Sequence, residues 1–147
     1  MYGKEIAAYR QTCVVTADPR KLIILCYEDT LTHLRDILSA YESGDYEKKG
    51  NALAKVQEIV TFLILSLDHD RGAAVAHSLH SIYTYILRRL MEADMKRDYA
   101  IFEEVIHIVE ELLVSWKQIS SSVHEVQQKK IPEGKNANVQ INSTGHI

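Results

Sequence analysis

Four long segments carry apolar residues at alternating intervals of three and four, and this pattern constrains the fold more than any other feature of the sequence. Such spacing places the apolar side chains on one face of a helix. The stripes run from Ile24 to Tyr41, from Leu53 to Leu67, from Ala76 to Ala93 and from Ile101 to Leu112. No segment shows the alternation with period two that indicates a half-buried strand. The sequence therefore predicts an all-α fold.

Helix start and stop signals separate the four stripes. Asp18 and Pro19 supply an N-cap carboxylate and a proline that suits the first helical position. The other breaks are short and contain Gly44 with Asp45, Asp70 to Gly72, and Asp94 to Asp98. Because short connections make successive long helices run antiparallel, we predict an up-down-up-down four-helix bundle over residues 18–128.

Two segments lie outside this predicted bundle. Within residues 1–17, Lys4 to Gln11 suit a short N-terminal helix, but an isolated helix needs about 12–15 residues to be even marginally stable in water. We expect it to pack on the bundle and to act as a displaceable lid. Residues 129–147 are polar and aperiodic, which predicts a flexible C-terminal tail.

Composition argues against several classes of protein. The formal net charge is -3 and no run of Lys or Arg exceeds two residues, so the basic surface of a nucleic-acid-binding protein is not expected. The start of the sequence lacks the pattern of a secretory signal. The most apolar stretch, Ile59 to Leu67, is shorter than the roughly 20 residues that span a bilayer. Cys13 and Cys26 have no metal-binding or disulfide pattern, which favours a cytoplasmic location.

Catalytic and cofactor motifs are weak in this sequence. The six glycines form no phosphate-binding loop, and no nucleophile stands at a characteristic spacing from a base. Glu104 and His107 form one Glu-x-x-His pair, whereas di-iron bundles carry this motif on two helices. His77 and His80 also share a helical face close to His69. We therefore expect no enzyme, no cofactor and no metal, and keep a metal-binding, di-iron-like bundle as the alternative.

Surplus apolar residues suggest a binding surface. Ile59, Phe62, Ile64 and Leu65 fall off the second stripe, so the second half of that helix is apolar nearly all round and needs cover on two sides. The N-terminal segment, a second copy in a homodimer or a partner helix in a groove could each provide it, and a thicker core explains it equally well. The excess of eight tyrosines over two phenylalanines suits a groove that is partly apolar and partly exposed to water.

Several short motifs occur in order along the chain. They are Ala8-Tyr9, Thr16-Ala17-Asp18-Pro19, Leu22 to Tyr27, Gly72, Ala76 to Leu79, Ile82 to Tyr85, Arg88-Arg89-Leu90 and Trp116-Lys117-Gln118. These motifs resemble those of the flagellin-specific export chaperones of the FliS family. The Thr-Ala-x-Pro turn and the Leu-Ile-x-x-Leu-Tyr helix are typical of that family, and so is a third helix that follows a glycine and contains Leu, Tyr-x-Tyr and Arg-Arg-Leu. Ser78, Asp94 and Ile82 depart from the residues usual in the family.

The resemblance implies a non-enzymatic chaperone. Such a protein binds the C-terminal segment of flagellin in the cytoplasm, prevents premature polymerisation and delivers flagellin to the gate of the flagellar type III export apparatus. The motif positions, combined with the apolar surplus, suggest which residues contact flagellin. These candidates are Ile6, Tyr9, Leu22, Ile23, Tyr27, Ile82 and Tyr85.

Overall fold

The structure, a computed structural model, describes residues 19–130 and the side chains of residues 19–119. It contains four helices, α1 (Pro19–Ser43), α2 (Tyr46–Leu65), α3 (Ala73–Lys96) and α4 (Tyr99–Lys130). Between residues 19 and 130 there is no strand. The prediction of an all-α fold is confirmed. None of these helices is both long and apolar enough to cross a membrane.

The helices pack in the order in which they occur along the chain. α1 packs against α2 and α4, and α3 packs against the same two helices. This arrangement is an up-down-up-down bundle around one core. The largest side chains in the core that are almost fully enclosed are Tyr27, Leu34, Ile37, Ile59, Leu63, Tyr83, Ile86, Leu90 and Phe102.

The turn between α1 and α2 follows the local signals in the sequence. Gly44 has a φ of 73°, a left-handed conformation in which a side chain is strained. Asp45 then caps α2, because its carboxylate accepts a hydrogen bond of 3.0 Å from the backbone N–H of Lys48. The helix stop at Gly44 and the helix start at Asp45, which the sequence signals indicated, are confirmed.

The turn between α3 and α4 is tighter than the sequence suggests. We expected a connection from Asp94 to Asp98, but α3 continues to Lys96. Arg97 reverses the chain in a left-handed conformation with a φ of 50°, although no glycine is present. The backbone N–H of Asp98 donates a hydrogen bond of 3.0 Å to the carbonyl oxygen of Ala93, which closes the end of α3. The guanidinium of Arg97 lies 4.8 Å from the ring centroid of Tyr46, a cation–π contact.

Asp94 lies on the last turns of α3 and ties this end of the bundle together. Its carboxylate accepts a short hydrogen bond from the hydroxyl of Tyr41 and lies 2.9 Å from Nζ of Lys49. Burial alone would raise the pKa of Asp94, but these two hydrogen bonds outweigh burial and hold the pKa below its ordinary value. Side chains from α1, α2 and α3 therefore meet at one carboxylate.

The surplus apolar residues of α2 divide between core and surface. Ile59 and Phe62 are buried, as expected for a helix covered on two sides, and Ile64 packs against the core. Leu65 is the exception, since 75% of its surface is exposed. Leu65 is the last residue of α2, and the described residues do not supply the second side of cover that the sequence requires at this position.

The segments predicted at the two ends mostly lie outside the described residues. The short N-terminal helix and the proposed lid, residues 1–17, belong to this part. So does the predicted tail from residue 131 onward, whereas residues 129 and 130 are part of α4.

Candidate binding groove

A groove of about 400 Å³ opens on the surface between α3 and α4. Apolar side chains from both helices line it, and small or charged polar side chains complete the lining. The lining residues are Ser81, Ile82 and Tyr85 from α3, with Ile108, Glu111, Leu112 and Ser115 from α4. We call this surface the α3–α4 groove.

The groove forms because α3 and α4 each carry apolar residues beside their buried stripe. Ile82 lies three residues after Leu79 and four before Ile86, both buried, but is itself only half-buried. On α4, Ile108 and Leu112 pack against the core in the same half-buried way. Ser81 and Ser115 are small and exposed, so they leave the space between the two helices open.

Tyr85 is held in place by charged neighbours. Its hydroxyl donates a hydrogen bond of 2.9 Å to Oε2 of Glu104, and Nε of Arg89 donates one of 2.8 Å to Oε1 of the same carboxylate. The guanidinium of Arg88 lies 5.2 Å from the ring centroid of Tyr85. These contacts fix the aromatic side chain at one end of the groove.

The electrostatics of this network follow from the same contacts. The hydrogen bond from Arg89, supported by the one from Tyr85, holds the pKa of Glu104 below its ordinary value. The hydrogen bond to Glu104 in turn raises the pKa of Tyr85. Glu104 is therefore a charged acceptor and Tyr85 a neutral donor at neutral pH, which keeps the network intact.

Two of the predicted flagellin-binding residues come together in the groove. Ile82 and Tyr85 both line it. Leu22, Ile23 and Tyr27 do not; they lie on α1 and are buried in the core. Ile6 and Tyr9, the remaining candidates, lie outside the residues that the structure describes.

Tyr27 has a partner that the sequence did not reveal. Only 1% of its surface is exposed, and its hydroxyl lies 2.6 Å from the hydroxyl of Tyr83 on α3. Burial raises the pKa of Tyr83 to about 12, and burial together with the charge and hydrogen bond of Tyr83 raises that of Tyr27 well above its ordinary range. These two tyrosines are therefore buried core residues and do not line a groove that is partly exposed to water.

Several groove residues were missed from the sequence. Ile108 and Leu112 belonged to the predicted core stripe of the fourth helix, and nothing marked them as partly open. Glu111, Ser81 and Ser115 carried no motif. Only the packing of α3 against α4 places these side chains in one groove with Ile82.

The residues of the metal-binding alternative have other partners. Glu104 is engaged by Arg89 and Tyr85, and Nε2 of His107 lies 2.9 Å from Oε1 of Glu111. The rings of His69 and His80 pack edge to face, with 6.1 Å between their centroids. Throughout the described part of the chain, no three His, Cys, Asp or Glu side chains are grouped so that they could hold a metal ion. No observation favours the alternative.

Sequence comparisons agree with the resemblance noted above. Residues 2–123 match the family model described as flagellar protein FliS. The flagellar secretion chaperone FliS of Salmonella typhimurium is 33% identical over 120 residues, covering 78% of this chain and 89% of the relative. The chaperone of the same name from Bacillus subtilis is 34% identical over 115 residues, covering 78% and 85%. The chaperone FliSB of Pseudomonas aeruginosa is 30% identical over 125 residues, covering 82% and 99%.

Proposed function

Because this chain belongs to the family of flagellar protein FliS, we propose that it is a cytoplasmic export chaperone for flagellin. It binds the C-terminal segment of newly made flagellin, prevents premature polymerisation and delivers the protein to the flagellar export gate. It catalyses no reaction. The family is one of flagellar secretion chaperones, and the finer assignment of cargo and delivery is our inference from membership.

The α3–α4 groove is the observation that supports a binding role most directly. Its floor is apolar, and Ile82 and Tyr85 lie at positions of the family motif. An amphipathic helix can lay its apolar face into a groove between two helices. A disordered segment that orders on binding loses entropy in doing so, which makes its complex easier to release. Reversible binding of this kind suits a chaperone that must release its cargo at the export gate.

Filling the groove from its rim tests this role without disturbing the core. Ser81 and Ser115 are exposed, so Ser81→Tyr or Ser115→Tyr should place a ring over the groove and leave the free energy of unfolding nearly unchanged. We expect either change to weaken binding of a C-terminal flagellin peptide at least about fivefold in calorimetric titration, since a buried anchor is worth roughly 1–3 kcal/mol. Ser39→Tyr, at an exposed position on α1, is the matched control.

The outcomes of this titration separate the function from the site. If the parent protein does not bind the peptide at micromolar concentrations, the chaperone function is wrong. If the peptide binds and the groove variants behave like Ser39→Tyr, the function stands and the groove is not the cargo site.

The other candidate residues stay predictions and need a stability control. Tyr9→Ala should weaken cargo binding by about 1–3 kcal/mol if Tyr9 is an anchor. Tyr27→Ala counts as a binding result only if the free energy of unfolding stays near that of the parent, because Tyr27 is a core residue. Leu22 and Ile23 are also buried and require the same control. Binding by Ile6 can be tested together with Tyr9.

The proposed lid and the oligomeric state have their own tests. If residues 1–17 cover the cargo site, their amide protons should exchange faster than those of α1 to α4 and change their protection when cargo binds. Strong, unchanging protection would make the segment part of the core. The homodimer stays a prediction, and light scattering with and without cargo would test it.

A further inference from the structure

Among the side chains that the structure describes, Glu111 is the only carboxylate that lines the α3–α4 groove. It lies on α4 between Ile108 and Leu112, so its charge stands beside the apolar floor. Its carboxylate contacts Nε2 of His107 at 2.9 Å, and the two side chains are 69% and 71% exposed. A pair so open to water is weak, so Glu111 can exchange this neighbour for a partner that enters the groove.

The other charged side chains near the groove contact side chains of α3 and α4. Glu104 receives hydrogen bonds from Arg89 and Tyr85, and Arg89 is also paired with Glu92 at 2.7 Å. Arg88 lies over the face of Tyr85 at the α3 side. The α4 side of the groove therefore presents one negative charge next to apolar surface.

We propose that Glu111 makes the groove select a cargo segment that carries a Lys or Arg beside its apolar anchors. This proposal rests on the function proposed above and names the chemistry of the segment. The occupant is an amphipathic helix whose apolar residues cover Ile82, Ile108 and Leu112. The aliphatic stem of its Lys or Arg lies on the same apolar floor while the charged head reaches Glu111, as long basic side chains do at other boundaries between apolar surface and water.

Charge complementarity at a rim mainly sets specificity. A neutral residue at the same place on the cargo would lose the attraction, and an acidic one would add repulsion. Because Glu111 is exposed, we expect its contribution to be modest. Removing the charge by Glu111→Gln should weaken binding about two- to fivefold, and added salt should reduce this difference.

An exchange of charges tests the proposal with the full-length protein. Each Lys and Arg of the C-terminal flagellin peptide is replaced in turn by Glu, and all peptides are titrated into the parent and into Glu111→Lys. At one position, the Glu peptide should bind the parent about five- to tenfold more weakly than the original peptide and bind Glu111→Lys more tightly than the original does. Glu42→Lys, an exposed position on α1, carries the same change in net charge and should not reverse any preference.

The results distinguish this inference from the proposed function. If the original peptide binds the parent but no position reverses its preference in Glu111→Lys, Glu111 does not select the cargo and the chaperone function still stands. If Glu42→Lys reverses the same preference, the effect is one of overall charge and the inference is also overturned. Failure of every peptide to bind the parent overturns both proposals.

Discussion

Replacing one tyrosine of the buried Tyr27–Tyr83 pair by phenylalanine should destabilise the protein more than replacing both. The two hydroxyls lie 2.6 Å apart, and each tyrosine has only 1% of its surface exposed. Either single change removes one hydroxyl and leaves the other buried without this partner. The double change removes both polar groups and leaves an apolar contact between two rings.

The size of the effect follows from the cost of an unmatched buried polar group. Such a group costs about 1–3 kcal/mol, whereas replacing both partners by apolar groups can be nearly neutral. A hydrogen bond with the side chain of Trp116 acts to lower the pKa of Tyr27, so the hydroxyl of Tyr27 has a second partner. Tyr27→Phe, which leaves Tyr83 alone, should therefore cost more than Tyr83→Phe. The free energy of unfolding of a single variant should therefore lie below that of the double variant, by up to about 1–3 kcal/mol for Tyr27→Phe.

Urea unfolding of the four proteins measures these differences, and its dependence on pH supplies a second readout. The pKa values of Tyr27 and Tyr83 are raised in the folded state, so the unfolded chain loses these protons first as the pH rises above about 10. The free energy of unfolding therefore falls as the pH rises through this range. Each tyrosine should cost about 1.4 kcal/mol of stability by pH 11, and the double variant should lack this loss.

Two results would contradict this reasoning. Additive losses in the two single variants would mean that the hydroxyls do not depend on each other. An equally steep fall in stability between pH 9 and pH 11 in the parent and the double variant would mean that the pair titrates normally and is open to water.

Further predictions concern the turns, the end of the bundle and the metal-binding alternative. Gly44→Ala should lower the free energy of unfolding by about 1 kcal/mol, because Gly44 has a left-handed φ of 73°. Gly50 lies inside α2 with open space around it, so Gly50→Ala should raise the free energy of unfolding by about 0.5–1 kcal/mol. Urea unfolding compares the two variants. Asp94→Asn should destabilise the protein at pH 7. Because the pKa of Asp94 is lowered on folding, the stability that its charge contributes decreases as the pH falls below the ordinary pKa of an aspartate, so the difference between parent and variant should shrink below about pH 4; a constant difference would refute this. Elemental analysis of protein purified without an affinity tag should find no stoichiometric iron or zinc, and about one equivalent that disappears in Glu104→Ala or His107→Ala would revive the alternative.

The helices and one turn could be predicted from the sequence because they depend on neighbours in the chain. The four stripes identify the buried faces, and Gly44 and Asp45 mark a stop and a start whose geometry the structure confirms. The turn at Arg97 could not be predicted in this way. Arg97 has a left-handed φ of 50°, which a residue with a side chain adopts rarely, so nothing in the local sequence marks this conformation.

The site was harder to predict because it depends on the rotation of two helices about their axes. Ile108 and Leu112 look like core residues from their spacing alone. Whether such a residue is enclosed or lines a groove is decided by the size of the side chains beside it, and here Ser81 and Ser115 leave the gap open. A one-dimensional pattern identifies the face of a helix, but not the space between two faces.

The Tyr-x-Tyr motif of α3 shows how one short segment can serve both the core and the surface. Tyr83 and Tyr85 are two residues apart, which corresponds to about 200° around a helix with 3.6 residues per turn. Tyr83 therefore points into the core, where it meets Tyr27, while Tyr85 lines the groove and is held by Glu104. The same spacing explains why Ile82, the neighbour of Tyr83, reaches the groove from the edge of the buried stripe. Any rotation of α3 that improved one tyrosine's contacts would disturb the other's, so the buried Tyr27–Tyr83 pair and the network around Tyr85 together fix the orientation of the helix and the width of the groove.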